Sequence, residues 1–183
     1  MYKVVALIGE SGTGKDTMMK KVLQTFPLEF NEIVSCTTRP IREGEVDGIN
    51  YHYMTDKRFL CKVNDGEMLE YTNFNNWFYG TSFDSLRSDS VNIGVFNPAG
   101  IKSLTENPHI DLTTFRVVCS DKTRLLRQLN RESDPNVNEI VRRYYADEAD
   151  FAELNFDYIE IINEESEDLL DGVIQIMAHL HGE

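Results

Sequence analysis

"YKVVALIGESGTGKDT", residues Tyr2 to Thr17, sets how the rest of the chain is read. Tyr2–Ile8 is an apolar, β-branched run with the length of a buried strand. The residues after it approach the phosphate-loop pattern Gly-x-x-x-x-Gly-Lys-Ser/Thr at Gly9, Gly14 and Lys15. The pattern fails at its last position, where Asp16 replaces a hydroxyl residue. Met18, Met19, Val22, Leu23 and Phe26 then recur at helical spacing until Pro27. Strand, glycine loop and helix form the setting the motif requires. Gly9, Gly12 and Gly14 let backbone N–H groups curl around an anion, the helix N-terminus adds positive potential, and Lys15 reaches terminal phosphates. A glycine-rich turn without a ligand is the plain alternative.

Asp16 needs an offsetting charge. A carboxylate roughly 5 Å from a phosphate oxygen costs on the order of 3 kcal/mol at an effective dielectric of about 20. The helix N-terminus returns only about 0.3–1 kcal/mol. A hard cation closes the gap, so Mg²⁺ held by Asp16, with help from Thr17, is the expectation. An outward-facing acid on the first helical turn is the alternative.

Composition bounds the rest. The 183 residues, 41% apolar and 27% charged, suit one globular domain able to bury roughly 70% of its unfolded surface. A net charge of −13 argues against a nucleic-acid or acidic-membrane binder, since both need a broad basic surface. Five of the ten arginines (Arg124, Arg127, Arg131, Arg142, Arg143) fall between 124 and 143, and Arg39 and Arg42 sit three apart. On an acidic background such clusters suggest focal anion sites; pairing with nearby acids, or a solvated helix face from Arg124 to Arg131, are the alternatives. Cys36, Cys61 and Cys119 form no metal-ligand spacing and read as reduced, buried thiols in a cytoplasm. With no signal segment and no membrane-length apolar run, a soluble cytoplasmic protein is expected.

Strands and helices continue to alternate. Ser90–Asn97, Asp111–Ser120 and Phe156–Ile162 read as strands; Pro98–Asn107, a helix from Lys122 capped by Asp121, Asn138–Phe151, and Ser166–Leu180 capped by Ser166 read as helices. The expected fold is α/β, a P-loop-type parallel sheet flanked by helices. Residues 36–83 break the rhythm as an inserted small mixed-β sub-domain, with one helix at Asp56–Asp65 stopped by Gly66. Residues 124–143 form a helical lid. The core is then 1–35, 84–123 and 144–183.

"SCTTRPIREGEVDGINYHY" (Ser35–Tyr53) and "GEMLEYTNFNNWFYGTS" (Gly66–Ser82) resemble the monophosphate-binding segments of guanylate kinases, and the similarity runs on to "FDYIEIIN" near residue 163. The resemblance implies transfer of the γ-phosphate of ATP to GMP or dGMP with Mg²⁺, by a monomer or homodimer. It implies that residues Gly9, Glu10, Ser11, Gly12, Thr13, Gly14, Lys15, Asp16 and Thr17 hold ATP, with Arg127 and Asn163. It assigns the acceptor's phosphate to Arg39, Arg42, Tyr51 and Tyr79, and the guanine to Ser35, Glu70, Thr81 and Asn97. Chemistry agrees: two guanidinium forks and two phenols suit one phosphate, and a carboxylate that accepts guanine's N1–H and N2–H discriminates against adenine. "RQLNRESD" with "IVRRYY" resembles the family's lid, which makes Arg131 and Arg143 catalytic with Lys15. One extra residue near Pro135 leaves Arg142 as an alternative to Arg143. Asn97 departs from the family, which carries an acid there; an amide keeps one acceptor and loses the charge. Three alternatives stand beside this reading. A ribose 1,5-bisphosphate phosphokinase also carries Gly-Lys-Asp, and a non-catalytic guanylate-kinase-like module shares the fold, as do other nucleoside monophosphate kinases.

Overall fold

The structure, a computed structural model, describes every residue except Glu43, Asn75, Glu132, Ser166, Glu167 and Glu183, and the side chain of Phe74. Strand β1 (Tyr2–Ile8) runs up the centre of a parallel sheet, between β7 (Val91–Val95) and β8 (Ile110–Val118). The short β2 (Phe30–Glu32) lies outside β7, and β9 (Ile159–Ile162) outside β8. The chain fills one side of β1 first and then crosses to the other. The strand order therefore reverses at β1, and the crevice beyond its C-terminal end is where such sheets bind ligands.

Alternation along β1 makes two cores. Val5 and Leu7 point to one face, under α1 (Lys15–Thr25) and α6 (Leu169–His181), with Met18, Val22, Phe115, Val173 and Ile176. Val4, Ala6 and Ile8 point to the other, where Ile101 and Leu104 of α3 (Pro98–Thr105) and the Phe151–Phe156 segment cover them. Sheet residues with both faces covered must be apolar throughout, which is why Tyr2–Ile8 shows no polar alternation.

A second, four-stranded sheet is built from β3 (Cys36–Thr37), β4 (His52–Tyr53), β5 (Met68–Phe74) and β6 (Trp77–Ser82), in the order β4-β3-β6-β5. Its helix α2 (Asp56–Asn64) seats the fully buried Phe59 against Phe78, ring centroids 5.3 Å apart. Helices α4 (Asp121–Leu129) and α5 (Val137–Asp150) complete the chain.

Several local expectations change. Ser120, not Asp121, caps α4 by accepting the Thr123 N–H; Asp121 is already helical and turns to Arg124 instead. Helix α6 starts at Leu169 under an Asp168 cap; the expected cap, Ser166, lies outside the described residues. Strand β2 was not expected, because three residues carry no readable period. Cys36 is buried, but Cys61 is exposed on α2. No helix among the described residues is long and apolar enough to cross a membrane.

Candidate active site

The phosphate loop joins β1 to α1 at the sheet's crevice. Gly12 has φ +89°, and a Cβ there would stand 2.5 Å from the Arg124 carbonyl oxygen. Gly14 has φ +90°, and its Cβ would meet Asn163 Nδ2 at 2.4 Å. Both positions require glycine on conformation and on space. Lys15 is 17% exposed on its side chain and Asp16 70%, with Nζ and carboxylate 3.9 Å apart. Asp16 and Thr17 thus present oxygens to solvent on the first turn of α1. Several expected donor-site residues support the loop itself. Arg127 Nη1 and Asn163 Nδ2 donate to the Thr13 carbonyl at 3.2 and 2.7 Å. The buried Glu10 carboxylate pairs with Arg116 at 2.7 Å, and the Thr13 hydroxyl donates to the Glu10 carbonyl. The Ser11 N–H donates to Asp147 at 2.7 Å.

Across the crevice, Arg39 is only 5% exposed. It lies over the rings of Tyr51 and Tyr53, 5.6 and 5.7 Å from their centroids. Glu45 grips it with two bonds of 2.8 and 3.0 Å and also accepts from Tyr53 Oη and the Arg42 N–H. The Arg39 hydrogen bond holds the Glu45 carboxyl down at about 2, and Glu45 in turn raises the Arg39 guanidinium. Arg42 is exposed, and the Tyr51 and Tyr79 rings meet edge-on at 6.1 Å. Burial raises the Tyr51 phenol, with Tyr79 and the Asp16 carboxylate adding to the rise against Arg39.

Beside the cradle, the β5–β6 register shifts between Met68 and Glu70 and brings Glu70 opposite Thr81. Bulges of this kind re-aim side chains near functional sites. Burial pushes the Glu70 carboxyl above the usual range, and bonds from the Thr81 side chain and backbone pull against that. Ser35 Oγ lies 3.3 Å from Thr81 Oγ1, so three polar groups line one pocket. Asn97 borders it as well. A Cβ on Gly100 would be 3.2 Å from Asn97 Oδ1 and 3.5 Å from Glu70 Oε2. The Asn97 carbonyl accepts the Gly100 N–H at 2.8 Å as the cap of α3. That bond takes one of the oxygen's two lone pairs and leaves the NH₂ as the donor end.

On the lid side, Arg131 is exposed just beyond α4. Arg142 and Arg143 both pair with Glu139, at 2.7 and 2.8 Å, and these bonds draw the Glu139 carboxyl down to about 2. Arg124 is on no solvated face: it is 3% exposed and surrounded by Asp121, Asp147 and Glu148. Among the described residues no group of three or more His, Cys, Asp or Glu could hold a metal alone.

The family model described as guanylate kinase matches residues 1–180. The chain belongs to the guanylate kinase family. A guanylate kinase of Chlorobium luteolum is 33% identical over 97% of this chain and 91% of its own length. One from Campylobacter jejuni is 29% identical over 88% of this chain and 81% of its own. The crystal structure of guanylate kinase from Anaplasma phagocytophilum shares the fold with a TM-score of 0.68, at 19% identity over 99% of this chain and 85% of that one. Enzymes of this family are ATP-dependent nucleoside monophosphate kinases. Sequence reasoning missed Glu45, Glu139 and Asp147, which touch site residues rather than filling a motif position of known role. Glu45 alone left a trace, as an acid inside the quoted Arg39–Tyr53 segment.

Proposed function

We propose that this chain transfers the γ-phosphate of ATP to GMP or dGMP, giving ADP and GDP or dGDP. The observation that carries the reading is Glu70, a partly buried carboxylate beside Thr81 and Ser35 and next to a cradle of Arg39, Tyr51 and Tyr79. A carboxylate with two acceptor oxygens matches guanine's N1–H and N2–H, and adenine, lacking the N1–H, leaves it unpaired.

In this reading residues 36–83 hold the acceptor, 124–143 serve as the lid, and the remainder is the core. Loop N–H groups between Gly9 and Thr17, other than the Ser11 N–H bound to Asp147, and the Lys15 ammonium hold the donor's phosphates, and Arg127 and Asn163 border the nucleoside. Arg39, Arg42, Tyr51 and Tyr79 hold the acceptor's phosphate, with Glu45 aiming Arg39. Ser35, Glu70, Thr81 and Asn97 line the base. An acceptor phosphate oxygen attacks the γ-phosphorus in line, and ADP leaves with no covalent enzyme intermediate. Charge builds on the transferring oxygens, and Lys15, Arg131 and Arg143 neutralise it as the lid closes.

Mg²⁺ fits the exposed oxygens of Asp16 and Thr17 beside Lys15, because this ion keeps phosphate and water ligands and needs few from protein. Held there, the ion would supply positive charge against the donor's phosphates. The acidic balance, −13 overall, suits a cytoplasmic enzyme with small-molecule partners, as a monomer or homodimer and without nucleic acid or membrane.

A coupled ADP-release assay over GMP, dGMP, AMP, UMP and ribose 1,5-bisphosphate tests the proposal. Turnover concentrated on GMP and dGMP supports it. Preference for ribose 1,5-bisphosphate would transfer the activity to the other Gly-Lys-Asp reading.

A further inference from the structure

The helix that carries Arg142 and Arg143 also touches the phosphate loop. Asp147, one turn beyond Arg143 on α5, accepts the Ser11 N–H at 2.7 Å, and its side chain is only 17% exposed. The other end of the Ser11 residue is held too. Its carbonyl accepts from Gln128 Nε2 at 3.2 Å and from Arg124 Nε at 3.4 Å. Arg124 joins the two helices. Its guanidinium lies 5.0 Å from the Tyr144 ring centroid and reaches Asp121, Asp147 and Glu148, while its own carbonyl closes against Gly12.

A carboxylate beside an anion-binding loop works against anion binding, so mere helix packing would be better served by an apolar side chain. What the carboxylate adds is direction. One short hydrogen bond to a loop N–H, braced by a 97%-buried arginine, fixes where α5 sits relative to the loop. A rigid helix then carries that setting one turn back to Arg143.

We infer that Asp147, braced by Arg124, is a positioning residue: it pins α5 to the phosphate loop so that the arginines of α5 meet the transferring phosphoryl group. The inference rests on the reading of those arginines as catalytic. It assigns Asp147 no contact with either nucleotide.

The test is a mutant cycle on kcat and KM. Asp147→Ala should lower kcat about 10- to 100-fold, the scale of roughly an ångström of misplacement, with KM for GMP within about twofold. Asp147→Asn, which keeps an acceptor for the Ser11 N–H, should recover part of the loss. In a background of Arg142→Ala with Arg143→Ala, the same Asp147→Ala change should alter kcat less than about twofold, because there is nothing left to position. Asp147→Leu keeps side-chain volume and runs the same comparison where the alanine variant fails to fold. Full additivity in the arginine-free background, or a rise in KM for ATP alone, would overturn the inference and leave the lid reading standing. An arginine-free enzyme with undiminished kcat would overturn both.

Discussion

Asp16 and Asn97 are two residues at which this chain departs from the pattern around it, and each has a separable consequence. Asp16 is solvent-exposed beside Lys15, and in the proposed reading a cation offsets its charge against the donor's phosphates. Asp16→Ala should raise the Mg²⁺ concentration needed for half-maximal turnover at least severalfold; an unchanged Mg²⁺ titration would remove the carboxylate from the metal's shell. Asn97 gives its carbonyl to α3, close to Glu70. Asn97→Asp keeps the cap and adds a charged acceptor worth about 1–2 kcal/mol to guanine's amine. The kcat/KM for GMP should rise about fivefold or more with AMP unaffected, whereas a fall would mean that the amide donor suits the bound base. Arg39 and Tyr51 could be named beforehand from the Ser35–Tyr53 segment and Glu70 from Gly66–Ser82, because each segment has a fixed spacing. Which end of the Asn97 amide the helix takes could not, since hydrogen-bond polarity depends on a neighbour's backbone direction. Glu45's hold on Arg39 was hidden for a similar reason: it depends on a loop folding back over the guanidinium.

At the level of elements, the α5 arginines proposed for the lid are held by weak surface pairs. Arg142 and Arg143 share Glu139 through i,i+3 and i,i+4 pairs that are about 40% exposed. Such pairs contribute about 0.3–0.5 kcal/mol, so a triphosphate competes for either arginine easily. Arg131, beyond the end of α4, has its guanidinium exposed and lies outside the acceptor cradle. Arg131→Ala should therefore lower kcat by two or more orders of magnitude, near the scale of a removed oxyanion donor, and shift KM for GMP by less than about threefold. A change confined to KM would count against a lid role. Periodicity marked α1, α3 and α6 to within a few residues, because each lays an apolar stripe over the sheet, and α5 is equally close although none of its residues is buried. The cap of α4 was misread, since Ser120 and Asp121 are equally good caps and only the chain's path chooses between them. Arg124 was misread as possible solvated surface because its partners, Asp147 and Glu148, come from a different helix.

Over the whole molecule, the proposed reading gives one anion cradle to the parallel sheet and the other to the mixed sheet. The α/β alternation and the break at residues 36–83 were visible in composition, whereas β2 and the paired order of the small strands depend on contacts distant in the chain. The acceptor cradle also makes the enzyme acid-sensitive. Glu45 titrates at about 2 when folded against 4.5 for an ordinary glutamate, so its contribution is complete above about 4.5 and is lost as pH falls toward 2. Melting temperature should decline across that window more steeply in the wild type than in Glu45→Gln; parallel curves would show that the Arg39 pair adds nothing to the fold. The central claim, that a nucleoside with a guanine edge fits the second cradle, is tested most directly by the GMP-to-AMP ratio of kcat/KM in the wild type and in Glu70→Gln. A ratio on the order of 10³ or more that collapses at least 100-fold in the variant is the predicted result. A ratio near one in the wild type, or one that Glu70→Gln leaves intact, would contradict it.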